Sequence, residues 1–392
     1  MEATRDVVIV GGGVIGSAIA YFLKATSAFA GSITVIEKDP SYEFGSTARS
    51  WGGVRQQFST PENIQMSQYT QEFLGQISRL LGVDDTPVDV SYHEQGYLFL
   101  AEDHQIPRLF SNNAIQRSLG VNVGLLDADD LARGYPWMNV SDLAGGSLGL
   151  SGEGWLDAYS LNQAFRKKAI SLGVSYIAKE AVGLESDNNR ITAVRLADGS
   201  SLSGGYIINA AGPHAATIAD WAGIDLPVRS RKRYAYSFSC RTEITGCPLL
   251  IDPSGVHLRP EGKQFLAGCS PSPENDPDCT DFDVDYGWFE EHIWPILAHR
   301  IPAFEAIKLE NAWAGHYAYN TLDQNAVLGP HPEISNFYFA NGFSGHGLQQ
   351  SPAVGRAIAE LITYGQYRSL DLSRFSFDRM VTGGAISEHN IV

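Results

Sequence analysis

Residues 7–23 read "VVIVGGGVIGSAIAYFL". Val7 to Val10 is an all-apolar run, as expected of a strand covered on both faces. Gly11, Gly13 and Gly16 follow in the spacing GxGxxG. Val14 and Ile15 then open a segment whose apolar residues recur at helical spacing. In such a unit the glycines serve a tight turn, close approach of backbone to a pyrophosphate, and close helix–strand packing. The helix N-terminus presents free N–H groups to the phosphates. A second strand, Ile33 to Ile36, ends in Glu37, 21 residues past Gly16. A carboxylate there accepts both ribose hydroxyls of an adenosine and disfavours a 2′-phosphate. The alternative is a surface glutamate after an edge strand. The combined pattern predicts an adenine dinucleotide, NAD or FAD.

The chain has 392 residues, 44% apolar and 18% charged, which is globular composition and enough for two cores. A formal net charge of −16 argues against nucleic acid as a partner and against an anionic membrane surface. No apolar run reaches the length of a membrane span. The first apolar strand begins at Val7, which leaves no room for a leader, so a cytoplasmic location is expected. Cys240, Cys247, Cys269 and Cys279 lack CxxC spacing, so no metal site is expected. Cys240 and Cys247 are placed to close a hairpin, but without an export signal reduced thiols are expected.

After Glu37 the chain reads "EKDPSYEFGSTARSWGGVRQQF". Small and hydroxyl residues with one arginine suit a loop wrapping further along an extended dinucleotide. Here the sequence resembles the D-amino-acid-oxidase-like flavoenzymes, which include sarcosine oxidase, glycine oxidase and dimethylglycine dehydrogenase. The resemblance implies FAD, with Lys38, Ser46, Thr47, Arg49, Ser50 and Trp51 along the path from pyrophosphate to isoalloxazine. Tyr176-Ile177 and Ala181–Leu184 read as strands, with turns at 187–189 and at Asp198-Gly199 around an alternating Ile191–Leu196. This meander leads into a buried strand from Tyr206, ending in Ala210-Ala211-Gly212. The resemblance places Val182, Ala211 and Gly212 beneath the cofactor.

A second glycine loop lies in "NFYFANGFSGHGLQQSPAVGRAIAELI" (336–362). It reads as a strand Phe337–Ala340, a loop 342–347, and a helix from about Ser351, with Ser351 as N-cap and Pro352 in the first turn. The resemblance implies that Gly342, Gly345, His346, Gly347, Leu348 and Gln349 face the flavin pyrimidine edge and favour negative charge there. His346 then orients the loop or touches the flavin and is not the catalytic base. Further matching stretches are "GGVRQQFSTPENIQ", "GEGWLDAYSL" and "PVRSRKRYAY". With the second loop they resemble the FAD-dependent oxidoreductase domain-containing branch, a mitochondrial member of which assists assembly of respiratory complex I. The expected fold is α/β, a Rossmann-type FAD-binding domain of the GR2-like kind. A second domain on a mostly antiparallel sheet covers the flavin. The expected boundaries are 1–90, 150–225 and 315–392 for the first domain, 91–149 and 226–314 for the second.

On the substrate side, Gly96–Leu100, Arg233–Ser239, Gly255–Arg259 and Gln264–Gly268 read as strands. Alternation sets His257 and Arg259 on one face, Val256 and Leu258 on the other, and pairs Tyr234 with Tyr236. "WAGHYAYN" (313–320) offers His316, Tyr317 and Tyr319, the two tyrosines forming an apolar roof with Trp51. Sarcosine oxidase tethers its flavin through a cysteine in the matching region, and dimethylglycine dehydrogenase through a histidine in the loop matching "GSTARSWGG". Neither residue is present, so FAD is expected to be non-covalent. A carboxylate-binding lysine of sarcosine oxidase is replaced by Gln349. The lysine that assists oxygen in oxidases falls near Gln264 or Phe265, with Lys263 adjacent but not matched. A substrate carboxylate therefore needs another cation, Arg55 first, then Arg259 and Arg49. The expected reaction is hydride transfer from the carbon beside nitrogen of an amine or amino acid to the flavin, then imine hydrolysis. Oxygen, a quinone or a partner protein takes the electrons, and an oligomer is possible. Two rivals stay open: a hydroxy-acid dehydrogenase with His257 or His316 as base, and a non-catalytic FAD-binding assembly factor.

Overall fold

The computed structural model describes residues 6–84 and 86–390. The outermost residues of the expected segments, 1–5 and 391–392, lie outside them. The strand Val7–Val10 sits inside a six-stranded sheet, in the order Val327–Pro330, Phe337–Asn341, Tyr206–Asn209, Val7–Val10, Ile33–Glu37, Ser175–Ala178. Its strands run parallel except the edge strand Val327–Pro330. Val7 and Ile9 pack on one face with the helices Val14–Ala25, Ala158–Ser171 and Gly347–Tyr364. Val8 and Val10 pack on the other with the meander Ala181–Asp187, Arg190–Leu196, Ser201–Ser203. Burial on both faces explains why this strand lacks polar alternation. Tyr176 and Ile177 belong to the six-stranded sheet, paired with Val35 and Ile36, and not to the meander.

This order brings the two glycine loops together. The strands Val7–Val10 and Phe337–Asn341 flank Tyr206–Asn209, all three parallel. Their carboxyl ends therefore meet at one sheet edge, the usual ligand edge of such a sheet.

A second sheet has eight strands, from Ile307–Asn320 and Val228–Cys240 at one side to Val123–Asp127 at the other. Every neighbouring pair is antiparallel except Leu249–Ile251 with Tyr97–Ala101. Tyr236, Phe238 and Leu258 from this sheet form a separate core with Phe289, Ile293 and Leu297. The long strand Ile307–Asn320 runs through the expected boundary at 314/315. The four cysteines are free thiols. Among the described residues no helix is long and apolar enough to cross a membrane.

The last long helix spans Gly347–Tyr364, one turn earlier than the sequence suggests. Pro352 lies inside it, and Ser351 is not its cap. An interior proline leaves the carbonyl four residues back without its donor. Here the Ser351 hydroxyl donates to that carbonyl, Leu348 O, at 2.8 Å. This substitution lets the helix continue back to Gly347.

Candidate functional site

A cavity of about 470 Å³ runs along the shared sheet edge. At its first end Gly11, Gly13, Val14 and Ile15 line it. Gly11 has φ +106°, and a Cβ there would stand 2.3 Å from the carbonyl oxygen of Ala210. Gly16 does not line the cavity. It lets the helix close on the turn, since a Cβ there would stand 2.0 Å from Gly11 O. Glu37 is held over the loop: Oε2 accepts the Gly12 N–H at 2.8 Å and Oε1 the Asp39 N–H at 2.9 Å. Its remaining lone pairs are available to hydroxyl donors along the cavity. Glu37→Ala removes both this acceptor and the partner of Gly12. FAD affinity should fall roughly tenfold or more, measured by titrating apoprotein with flavin; unchanged affinity would remove Glu37 from the site.

Lys38, Ser46, Thr47, Arg49, Ser50 and Trp51 all line the cavity. Thr47 Oγ1 accepts the Val14 N–H at 3.2 Å, so this loop packs on the helix start. Arg49 is a clip: Nε donates to Glu43 O and Nη1 to Ala314 O, both at 2.8 Å, and its guanidinium lies 4.6 Å from the Phe282 ring. These bonds tie the loop to the strand Ile307–Asn320. Ala211 and Gly212 line the cavity, but Val182 does not. Val182 is 44% exposed, and the wall is made by its neighbours Lys179, Glu180 and Ala181. Sequence reasoning missed His214, Thr217, Ile218 and Trp221, which also line this end. The helical spacing of Thr217, Ile218 and Trp221 was the available signal.

At the far end Gly345, Gly347 and Leu348 line the cavity with His316 and Tyr317. Gly342 lies behind the loop, against Asn320 and Val228. The first-turn N–H groups of the helix have no intrahelical acceptor, and no acidic side chain occupies that turn. This end therefore favours negative charge. Two helix N-termini, a loop where a Cβ would not fit, and a carboxylate placed for hydroxyls make a cradle that suits an extended dinucleotide at both ends.

A smaller recess of about 80 Å³ adjoins this far end, sharing Ser50, Trp51, Tyr317, Gly345 and Leu348 with the main cavity. Arg55 lines it, and among the described residues no other Lys, Arg, Asp or Glu does. Arg55 is buried; Nη1 donates to Gln57 O at 2.8 Å and Nη2 to Asn390 O at 2.6 Å. Nη2 also lies 3.1 Å from His346 Nε2, and the guanidinium stacks 4.2 Å from the Phe58 ring. Because an arginine only donates, His346 accepts and is neutral. Burial, then the Arg55 charge, holds its pKa well below the usual histidine range. His346 lines the recess and not the main cavity, as does Gln349, whose Oε1 accepts the Arg55 backbone N–H at 2.7 Å. His257 also lines the recess, edge-on to Trp51. Burial pushes its pKa down to about 4.

Several substrate-side candidates fall outside both spaces. Arg259 donates to Trp51 O at 3.0 Å and is already paired with an acid, Glu261. Tyr319 lies beside Arg231, two residues along the strand from Tyr317 and beyond the cavity. Tyr236 is wholly buried in the second core, whereas Tyr234 lines the main cavity. Lys263 sits exposed in a turn. Tyr97, Leu249 and Ile251 complete the recess walls and were not singled out from sequence.

Residues 6–361 match the family described as "DAO: FAD dependent oxidoreductase". FAD-dependent oxidoreductase domain-containing protein 1 of Xenopus laevis is 43% identical, over 99% of this chain and 85% of its own length. Glycine oxidase of Geobacillus kaustophilus is 26% identical, over 97% of this chain and 98% of its own. The crystal structure of L-proline dehydrogenase from P. horikoshii superimposes with a TM-score of 0.87 at 27% identity, covering 98% of this chain and 100% of that one. The chain belongs to the DAO family of FAD-dependent oxidoreductases.

Proposed function

We propose that this protein oxidises a small primary or secondary amino acid, taken into the recess with its carboxylate on Arg55. The observation that carries the reading is the pairing of the recess with Arg55. A buried cation without a contacting acid stands between neutral imidazoles and apolar walls, next to the cofactor cavity. When bound, FAD supplies the hydride acceptor. The chain's own residues bind and orient. Trp51, Tyr97, Leu249, Ile251 and Tyr317 exclude water, and desolvation beside Arg55 favours the neutral amine over the ammonium. The carbon beside nitrogen is thereby held toward the cavity, and orientation is the protein's main contribution. The positive end of the helix Gly347–Tyr364 favours negative charge at the far end of the cavity. The imine product is hydrolysed to a carbonyl compound and an amine or ammonia.

The same recess admits a rival, a hydroxy acid with His257 as base, because that imidazole is neutral. The pH dependence separates the two. An amine substrate must lose its proton, so kcat/KM should rise with pH as the substrate titrates. His257, with its pKa near 4, is already neutral and adds no limb between about pH 6 and 9. A flat profile over that range would favour the hydroxy acid.

We also propose that the flavin is held without a covalent bond. No cysteine lines the cavity, and its histidines are His214 and His316. Acid precipitation should release all flavin into the supernatant. Colour retained in the pellet would overturn this and direct attention to His316, whose Nε2 is buried without a partner.

A further inference from the structure

Segment 386–390 crosses the start of the helix Pro61–Leu74 and reaches the recess from behind. Ile386 anchors it: its N–H donates to Asp323 Oδ2 at 3.0 Å, and its carbonyl accepts Asn325 Nδ2 at 3.1 Å. Glu388 then meets the helix start. Its Oε1 accepts the Ser59 N–H and hydroxyl, each at 2.7 Å. Its Oε2 accepts the Thr60 N–H at 3.0 Å and Asn63 Nδ2 at 3.1 Å. Thr60, the N-cap, makes no side-chain capping bond of its own. Glu388, more than 300 residues away, binds the two N–H groups just ahead of the helix, at the end that favours an anion.

Two residues on, the segment clamps the guanidinium. Arg55 Nη2 donates to Asn390 O at 2.6 Å and Nη1 to Gln57 O at 2.8 Å. Asn390 Nδ2 donates to the same Gln57 carbonyl at 2.6 Å, tying the two acceptors together. The division of labour is electrostatic. Glu388 spends its charge on backbone and side-chain donors at a helix end and makes no ion pair with Arg55. Arg55 is fixed by two carbonyls and an imidazole, none of which cancels its charge. An arginine held in this way keeps its orientation for an incoming carboxylate and meets no acid at contact distance among the described residues.

We propose that segment 386–390 sets the orientation of Arg55, with Glu388 and Asn390 as positioning residues for carboxylate recognition. The proposal rests on the reading of Arg55 given above. The test is a difference-absorbance titration of flavin-loaded protein with pyrrole-2-carboxylate and with the uncharged pyrrole-2-carboxamide. Wild type should bind the carboxylate more tightly than the carboxamide. A chain ended after Ala385 should lose about tenfold in carboxylate affinity, with carboxamide affinity and flavin content unchanged. A merely structural segment would move both ligands alike. If the shortened chain does not hold flavin, Glu388→Gln in the full chain decides, and its loss should again be selective for the carboxylate. Wild-type carboxylate affinity in a flavin-loaded variant overturns the proposal. Absence of discrimination in wild type itself overturns the reading of Arg55, and the proposal with it.

Discussion

Replacing Arg55 with methionine should raise KM for an amino-acid substrate by roughly a hundredfold or more, the usual cost of losing one partner of a desolvated charge pair. The matching amine that lacks a carboxylate should change little. The selectivity matters more than the size. Arg55 also holds Gln57 O, Asn390 O and His346, so the substitution strands Asn390 O and His346 Nε2 and loosens the recess. Loosening alone would affect both substrates. Arg55→Lys sharpens the comparison, because it keeps the charge and loses the planar fork. Steady-state KM for the paired substrates is the measurement. Equal losses for both would make Arg55 a structural residue and leave the carboxylate without a site.

Gly16→Ala should give protein that purifies with little or no flavin and melts well below wild type. The added methyl would stand 2.0 Å from Gly11 O, a backbone atom in the cofactor loop. Overpacking usually costs about 1–3 kcal/mol; no flexible side chain can yield here, so the upper end is expected. Gly134→Ala is the control, since nothing lies within 4 Å of its added Cβ. It should keep its flavin and its melting temperature. A Gly16→Ala protein with full flavin content would mean that the helix shifts along the strand at little cost. The tight turn would then not be required for the cofactor.

Much of the cofactor end was legible because its signals are local. A buried strand, three glycines and Glu37 lie within 31 residues, and each follows from backbone geometry. The far end was partly legible. The loop 342–347 was found, but the helix start was misplaced, because a Ser-Pro pair signals an N-cap. Nothing local reveals that Ser351 replaces the missing donor of Pro352. Val182 lies off the cavity wall for another reason. Side chains alternate along a strand, so a contact assigned one residue away lands on the opposite face. Nothing local in the sequence marks Arg55 as buried. Its burial depends on Phe58, His346 and Asn390, brought together by tertiary packing that no periodicity encodes. Arg259 and Tyr319 failed in the same way. Their residue types suited a site, but their strand positions turn them to Glu261 and Arg231.

The most direct test of the account is anaerobic mixing of flavin-loaded protein with L-, D- and N-alkyl amino acids and with the corresponding hydroxy acids, following the visible flavin absorbance. Rapid bleaching by at least one small amino acid, and none by the hydroxy acids, is the expected result. Bleaching by a hydroxy acid alone, or by no amino acid at all, would contradict it.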